Sequence, residues 1–181
     1  MRRDIIIPCL IAVAMGTVFT IVSEGLSLII TFVPAIPVAL WLYFKTCYAR
    51  TIQVPKVLPL YLLGMGFQFI HFAEEHMFGF DEKFGMLFGG CGYDHNFFVG
   101  FNMLAYFLFS LGAIGLYKNF KPFMFVAMFF IVYGMLGNAI GHIAYCAMVR
   151  GYFPGIYTSL LNLIIGPLLI RQLWYSNKVK K

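Results

Sequence analysis

Residues 68–82 read QFIHFAEEHMFGFDE. One Gln, two His and four carboxylates crowd the end of a long apolar run. An α-helix turns about 100° per residue, so with His71 at zero, Glu74 lies at about −60°, Glu75 at about +40° and Gln68 at about +60°. These four share one face, with Gly64 beneath them at about +20°, while His76 falls off it at about 140°. His71 and Glu75 are i, i+4 neighbours, a spacing at which two side chains can hold one ion.

Two adjacent carboxylates and a His in a poorly hydrated setting cannot all stay charged alone. Either a cation neutralises them or a proton is taken up. Zn²⁺ favours His and carboxylate ligands and keeps an open position for water when it is catalytic. A spare Glu then serves as general base. The spacing follows zincin logic without being H-E-x-x-H, and it is not H-x-x-E-H, because Glu75 follows Glu74. The paired Glu-x-x-His of di-iron bundles is absent from the sequence. A bland alternative is a structural network of polar groups that only orients helices.

A second polar helix is needed, and YGMLGNAIGHIAYC supplies it. Gly134, Gly137 and Gly141 form a narrow stripe that admits a close neighbour. Asn138 and His142 lie along its edge. His71 is about 21 Å along its apolar run and His142 about 30 Å along its own, which tilt can reconcile. Thr17, Thr20 and Glu24, then Ser27 and Thr31, then Asn102, then Thr158, Ser159 and Asn162 point polar groups at the same layer and are expected to line a cavity. His95, Asp81 and Glu82 read as solvated loop residues, and Glu24 as a cap on a helix turn.

The elements that carry these residues are membrane spans. Of 181 residues, 61% are apolar and 11% charged, against about 45–50% and about 25% in soluble domains. That excludes a soluble domain of this size. Six runs near the length of a span occur at residues 5–23, 26–44, 57–78, 97–117, 122–149 and 156–174. The expected fold is an all-α, polytopic transmembrane bundle. Residues 5–44 are nearly unbroken, which leaves a single tilted span with a re-entrant piece as the alternative for the first pair. The N-terminus has a signal-like look, but its apolar stretch outruns an h-region and no A-x-A-like site follows, so it reads as a retained span.

With the N-terminus inside, Arg2, Arg3, Lys45, Arg50, Lys56, Lys118, Lys121, Arg171, Lys178, Lys180 and Lys181 are cytoplasmic, and only Lys83 and Arg150 are outside. Both termini are then cytoplasmic in a cell-membrane protein. All four His and six of the seven carboxylates fall in the outer half. The net charge of +6 is spread over short inner loops, so it calls for anionic lipid headgroups, not nucleic acid. The four Cys form no C-x-x-C pair, and a Cys91–Cys146 disulfide is an open pairing.

Three pieces stand in order: His71-Phe72-Ala73-Glu74-Glu75, Asn138-Ala139-x-x-His142 and Tyr152-Phe153-Pro154-Gly155. On these the chain resembles the HXXEE-domain family of small prokaryotic membrane proteins, over roughly residues 57–175. The resemblance implies a four-span core at 57–175, with 1–56 as an N-terminal extension of two spans and 176–181 as a basic cytoplasmic tail. It singles out His71, Glu74, Glu75, His142, Tyr152, Pro154 and Gly155, and it brings no activity with it.

Three functions compete. In an intramembrane metal-dependent hydrolase, His71, Glu75 and His142 bind a divalent metal such as zinc. Glu74 is the general base, Tyr152 or Asn138 polarises the substrate, and Gln68, Pro154 and Gly155 support the site. A proton-coupled carrier would use the same Glu and His residues as a relay, but needs a path to both sides. A lipid-binding or assembly protein would use the cluster only to orient helices. Convergence of His71, Glu75 and His142 favours the metal reading.

Overall fold

The computed structural model describes residues 2–48 and 50–175, which form helices and no strand. The tail at 176–181 lies outside the described residues. Helix α1 spans Arg3–Ile21. Helices α2 (Ser27–Thr31) and α3 (Ala35–Tyr43) follow, the latter running on into a π-helical turn at Phe44–Tyr48. Helix α4 spans Val54–Met77, α5 Phe80–Leu87 and α6 His95–Lys118. Helix α7 (Lys121–Phe129) runs through a π-helical stretch at Phe130–Gly137 into α8 (Asn138–Val149). Helices α9 (Ile156–Ser159) and α10 (Asn162–Tyr175) complete the chain.

These helices make six segments long and apolar enough to cross a membrane. The protein is a multi-pass membrane protein. The first pair is two spans, parted by a turn at residues 22–26 where Gly25 takes φ +58°. The second of them is interrupted at Phe32–Pro34, because Pro34 lacks an N–H to continue the ladder.

The fifth span forms the axis of the bundle. Met124, Phe125, Met128, Phe130, Ile131 and Met135 are all fully buried. The other spans surround it and turn Leu10, Val13, Leu62, Phe107 and Ile164 outward. That pattern suits a solvent as apolar as the core. With little hydrophobic gain from helix association in lipid, close packing carries the fold. Gly64 of α4 accepts the Met135 side chain in the space a Cβ would take. Phe109 stacks obliquely on Phe130 at 4.6 Å, a contact of the kind worth about 0.5–1.5 kcal/mol.

One expectation fails in part at the loops. The segment after α4 is a helix; Glu82 and His95 are exposed as expected, but Asp81 is not. Asp81 is buried, with its carboxylate 2.8 Å from His95 Nδ1. The short α5 folds back over the end of the bundle, with Phe80 and Phe84 turned inward. The Cys91–Cys146 pairing does not form, and both are free thiols. Cys91 is instead held to the first loop, its N–H donating to Glu24 Oε2 at 3.3 Å.

Candidate metal centre

Glu75 lies in the last turn of α4 and His142 in the second turn of α8. The sequence leaves His71 and His142 out of step by roughly 9 Å. The structure closes that gap, since α4 begins at Val54 and the fifth span carries extra residues in wide π-helical turns. An i→i+5 stretch also resets the register of the helix that follows it. That rotation aims both Asn138 and His142 at α4.

His71, Glu75 and His142 converge. Each is buried, and one ligand atom from each lies within 4.8 Å of the others. Glu75 Oε1 is 3.2 Å from His71 Nε2 and 3.2 Å from His142 Nε2. The two imidazoles cross edge to face, 4.7 Å between centroids. Only the His142 contact has hydrogen-bond geometry. His71 Nε2 and His142 Nδ1 are buried without a hydrogen-bond partner.

Glu74 looks the other way. Its Oε1 accepts from Tyr152 Oη at 3.0 Å, Gly155 N at 3.2 Å and Tyr157 N at 3.3 Å. Its Oε2 accepts from Thr158 N at 2.9 Å and Thr158 Oγ1 at 2.6 Å. Five donors meet two carboxylate oxygens at the free amides that open the last span, where negative charge is favoured. Such a carboxylate has no lone pair left for a water. The geometry therefore departs from the general-base position expected for Glu74, and from the substrate-facing position expected for Tyr152.

The Thr158 hydroxyl has one proton, and it goes to Glu74. It therefore accepts from His71 Nδ1, 3.0 Å away. That places a proton on His71 Nδ1; in the neutral ring Nε2 is then a lone pair facing the Glu75 oxygen, which is also an acceptor. Two acceptors 3.2 Å apart in a buried site are an unfavourable arrangement unless a proton or a metal ion sits between them.

The Tyr152-Phe153-Pro154-Gly155 turn closes the site. Phe153 and Pro154 are buried, and Phe153 packs edge-on against Phe80 at 5.7 Å and Tyr145 at 5.3 Å. Gly155 has φ +93°, and a Cβ there would run into both imidazole rings. Glycine is needed twice over, for the backbone and for the space. Burial and the hydrogen bond to Glu74 push the Tyr152 hydroxyl up to about 12, so it remains a donor at neutral pH.

On its other side the cluster borders a cavity of about 80 Å³. Glu75, Gln68, Asn138 and Asn102 provide its polar wall, and the remainder is largely aromatic. Gln68 is held by Asn162, which donates to its Oε1 at 3.3 Å. Of the polar residues expected to line this cavity, only Asn102 does. Thr158 and Asn162 instead support the site through His71, Glu74 and Gln68. Thr17, Thr20, Glu24, Ser27, Thr31 and Ser159 are not among its lining, and Thr20 turns back onto Gly16 O. The role of Thr158 toward His71 is beyond sequence reasoning, although its place three residues after Gly155 marks it as a first-turn hydroxyl.

The fold and site together define a polytopic helical membrane protein with a buried His–Glu–His cluster. No protein-family model, curated protein or solved structure matches the chain, so the chemistry must be read from the site itself.

Proposed function

We propose that this protein is an intramembrane metalloprotein in which His71, Glu75 and His142 hold one divalent ion of the zinc type, and that its chemistry is hydrolytic. The observation that carries the reading is His71 Nε2, buried without a hydrogen-bond partner and facing Glu75 Oε1 at 3.2 Å, while Thr158 occupies Nδ1. A tetrahedral ion with bonds of about 2.0–2.1 Å separates its ligands by about 3.3–3.4 Å. Both His–Glu distances are 3.2 Å. The Glu74–Thr158–His71 chain is the outer support that metal-bound imidazoles generally have.

A three-ligand zinc-type site facing a cavity keeps a position open for water, whose pKa the ion lowers to about 7, and so supplies a nucleophile. In this reading Glu74 and Tyr152 are positioning residues. Glu75 and Asn138 are the polar groups that meet a substrate in the cavity. The carrier reading has less support. Among the described buried polar residues, only Thr46 belongs to the basic end of the bundle, so no polar path crosses it.

The same three motifs that suggest kinship with the HXXEE-domain family supply the site, which makes that kinship part of the proposal. So is its setting: a cell membrane with cytoplasmic termini, which puts the cluster in the outer leaflet. Metal analysis of the purified, zinc-supplied protein tests the reading. About one ion per chain is expected, falling at least about tenfold in His71→Ala and in Glu75→Gln. Metal-free intact protein overturns it.

A further inference from the structure

The cavity beside Glu75 shares part of its aromatic wall with another space. A second, wholly apolar cleft of about 350 Å³ lies between α1, α6 and α7, a size in the range of sites for small organic ligands. Phe32, Phe101, Ala105 and Phe109 line both spaces. Phe19, Phe32 and Phe101 stand at the junction with ring centroids 4.9–6.1 Å apart. The cleft exists because α1 packs on α7, α3 and α2 and stands off from α6. Its far wall is Ile11, Ala14 and Val18, and Ala14 and Val18 are exposed on the outside of the bundle.

We infer that the cleft and the cavity together take one acyl chain of a glycerophospholipid, which enters sideways from the bilayer between α1 and α6 and brings its ester end to Glu75 and Asn138. This names the substrate class of the site proposed above and rests on that reading. Along α6 the lining runs from Phe97 to Leu111, about 21 Å. That is somewhat more than half of a hydrocarbon core of about 30 Å. The polarity matches an amphiphile lying in the membrane: carboxylate and amide groups line the cavity, and hydrocarbon-like walls line the cleft. The mouth opens between two membrane spans, where bilayer lipid is the available solute.

The test is photo-crosslinking in vesicles of phosphatidylglycerol and phosphatidylethanolamine doped with a phospholipid carrying a diazirine in its acyl chain, with labelled peptides mapped. Labelling is expected to concentrate at Ile11–Val18 and Phe101–Leu111 over the outward Leu62–Leu63 surface. Ala105→Trp, which fills the junction, is expected to lower it about tenfold while metal content is kept. His71→Ala, which removes the metal but touches neither space, is expected to leave labelling unchanged, so loss of the metal reading and loss of this one are separable. Ala14→Trp, from the opposite wall, substitutes if Ala105→Trp does not fold. Labelling no higher in the cleft than at Leu62–Leu63 overturns the inference in the wild type alone. Labelling indifferent to the folded variant, or chain-to-chain crosslinks that fill the cleft with a second copy, also overturns it.

Discussion

His71 Nδ1 lies 3.0 Å from the hydroxyl of Thr158. That contact places a proton on Nδ1, so that in the neutral ring Nε2 is the nitrogen left to bind. Thr158→Val keeps the shape of the side chain and removes the acceptor. Zinc affinity is expected to fall about 10–100-fold, as for other outer-support residues of metal sites. Competition with a chromophoric chelator reads this directly, and unchanged affinity would show that Thr158 only tethers Glu74.

Glu74→Gln keeps one acceptor oxygen where two now receive five donors. The start of the last span would loosen, with a loss of about 2–3 kcal/mol in unfolding free energy measured in detergent. The loss of metal is expected to be smaller than for His71→Ala, because the ligands themselves remain. A variant that keeps full stability and metal but loses all activity would return Glu74 to the role of general base.

Gly155→Ala strains a backbone at φ +93° and drives a methyl into both imidazoles. It is expected to abolish metal binding and to lower stability by about 2 kcal/mol or more. Gly151→Ala is the control: it sits in the same turn, its Cβ would meet only Val149 O at an ordinary 3.9 Å, and it should change stability by less than about 0.5 kcal/mol. Equal effects of the two would contradict the site geometry.

The Tyr152 hydroxyl is raised from 10.0 to about 12 in the folded protein. A raised acid of this kind stabilises the fold fully below pH 10 and loses that contribution as pH climbs toward 12. Thermal unfolding followed from pH 9 to 12 should therefore drop more steeply in the wild type than in Tyr152→Phe. Parallel curves would mean that the Tyr152–Glu74 bond contributes nothing in solution.

Orientation has its own check. Cys91 is exposed beside the first loop and α5, and Cys47 is buried at the basic end, where its carbonyl accepts from Lys121. A membrane-impermeant maleimide added to whole cells should label Cys91 when the other cysteines are replaced. Labelling only after the membrane is broken would invert the proposed topology.

Much of this protein was legible in its sequence because lipid imposes strict rules on a chain. A span must be long, apolar and internally hydrogen-bonded, so the six helices follow from hydropathy. His71 and Glu75 are neighbours by helical spacing alone. What the sequence could not decide depends on rotation and depth between helices. The π-helical stretch Phe130–Gly137 has no sequence signature, yet it rotates Asn138 and His142 to face α4. Glu74 and Glu75 are adjacent and alike in sequence. Tertiary structure separates them, one accepting from five donors at the last span, the other left between two histidines. Asp81 reads as a surface acid until α5 folds over the bundle and buries it against His95. Local spacing fixes which side chains share a face, but only packing decides what each face meets, because a turn of a few tens of degrees exchanges one partner for another.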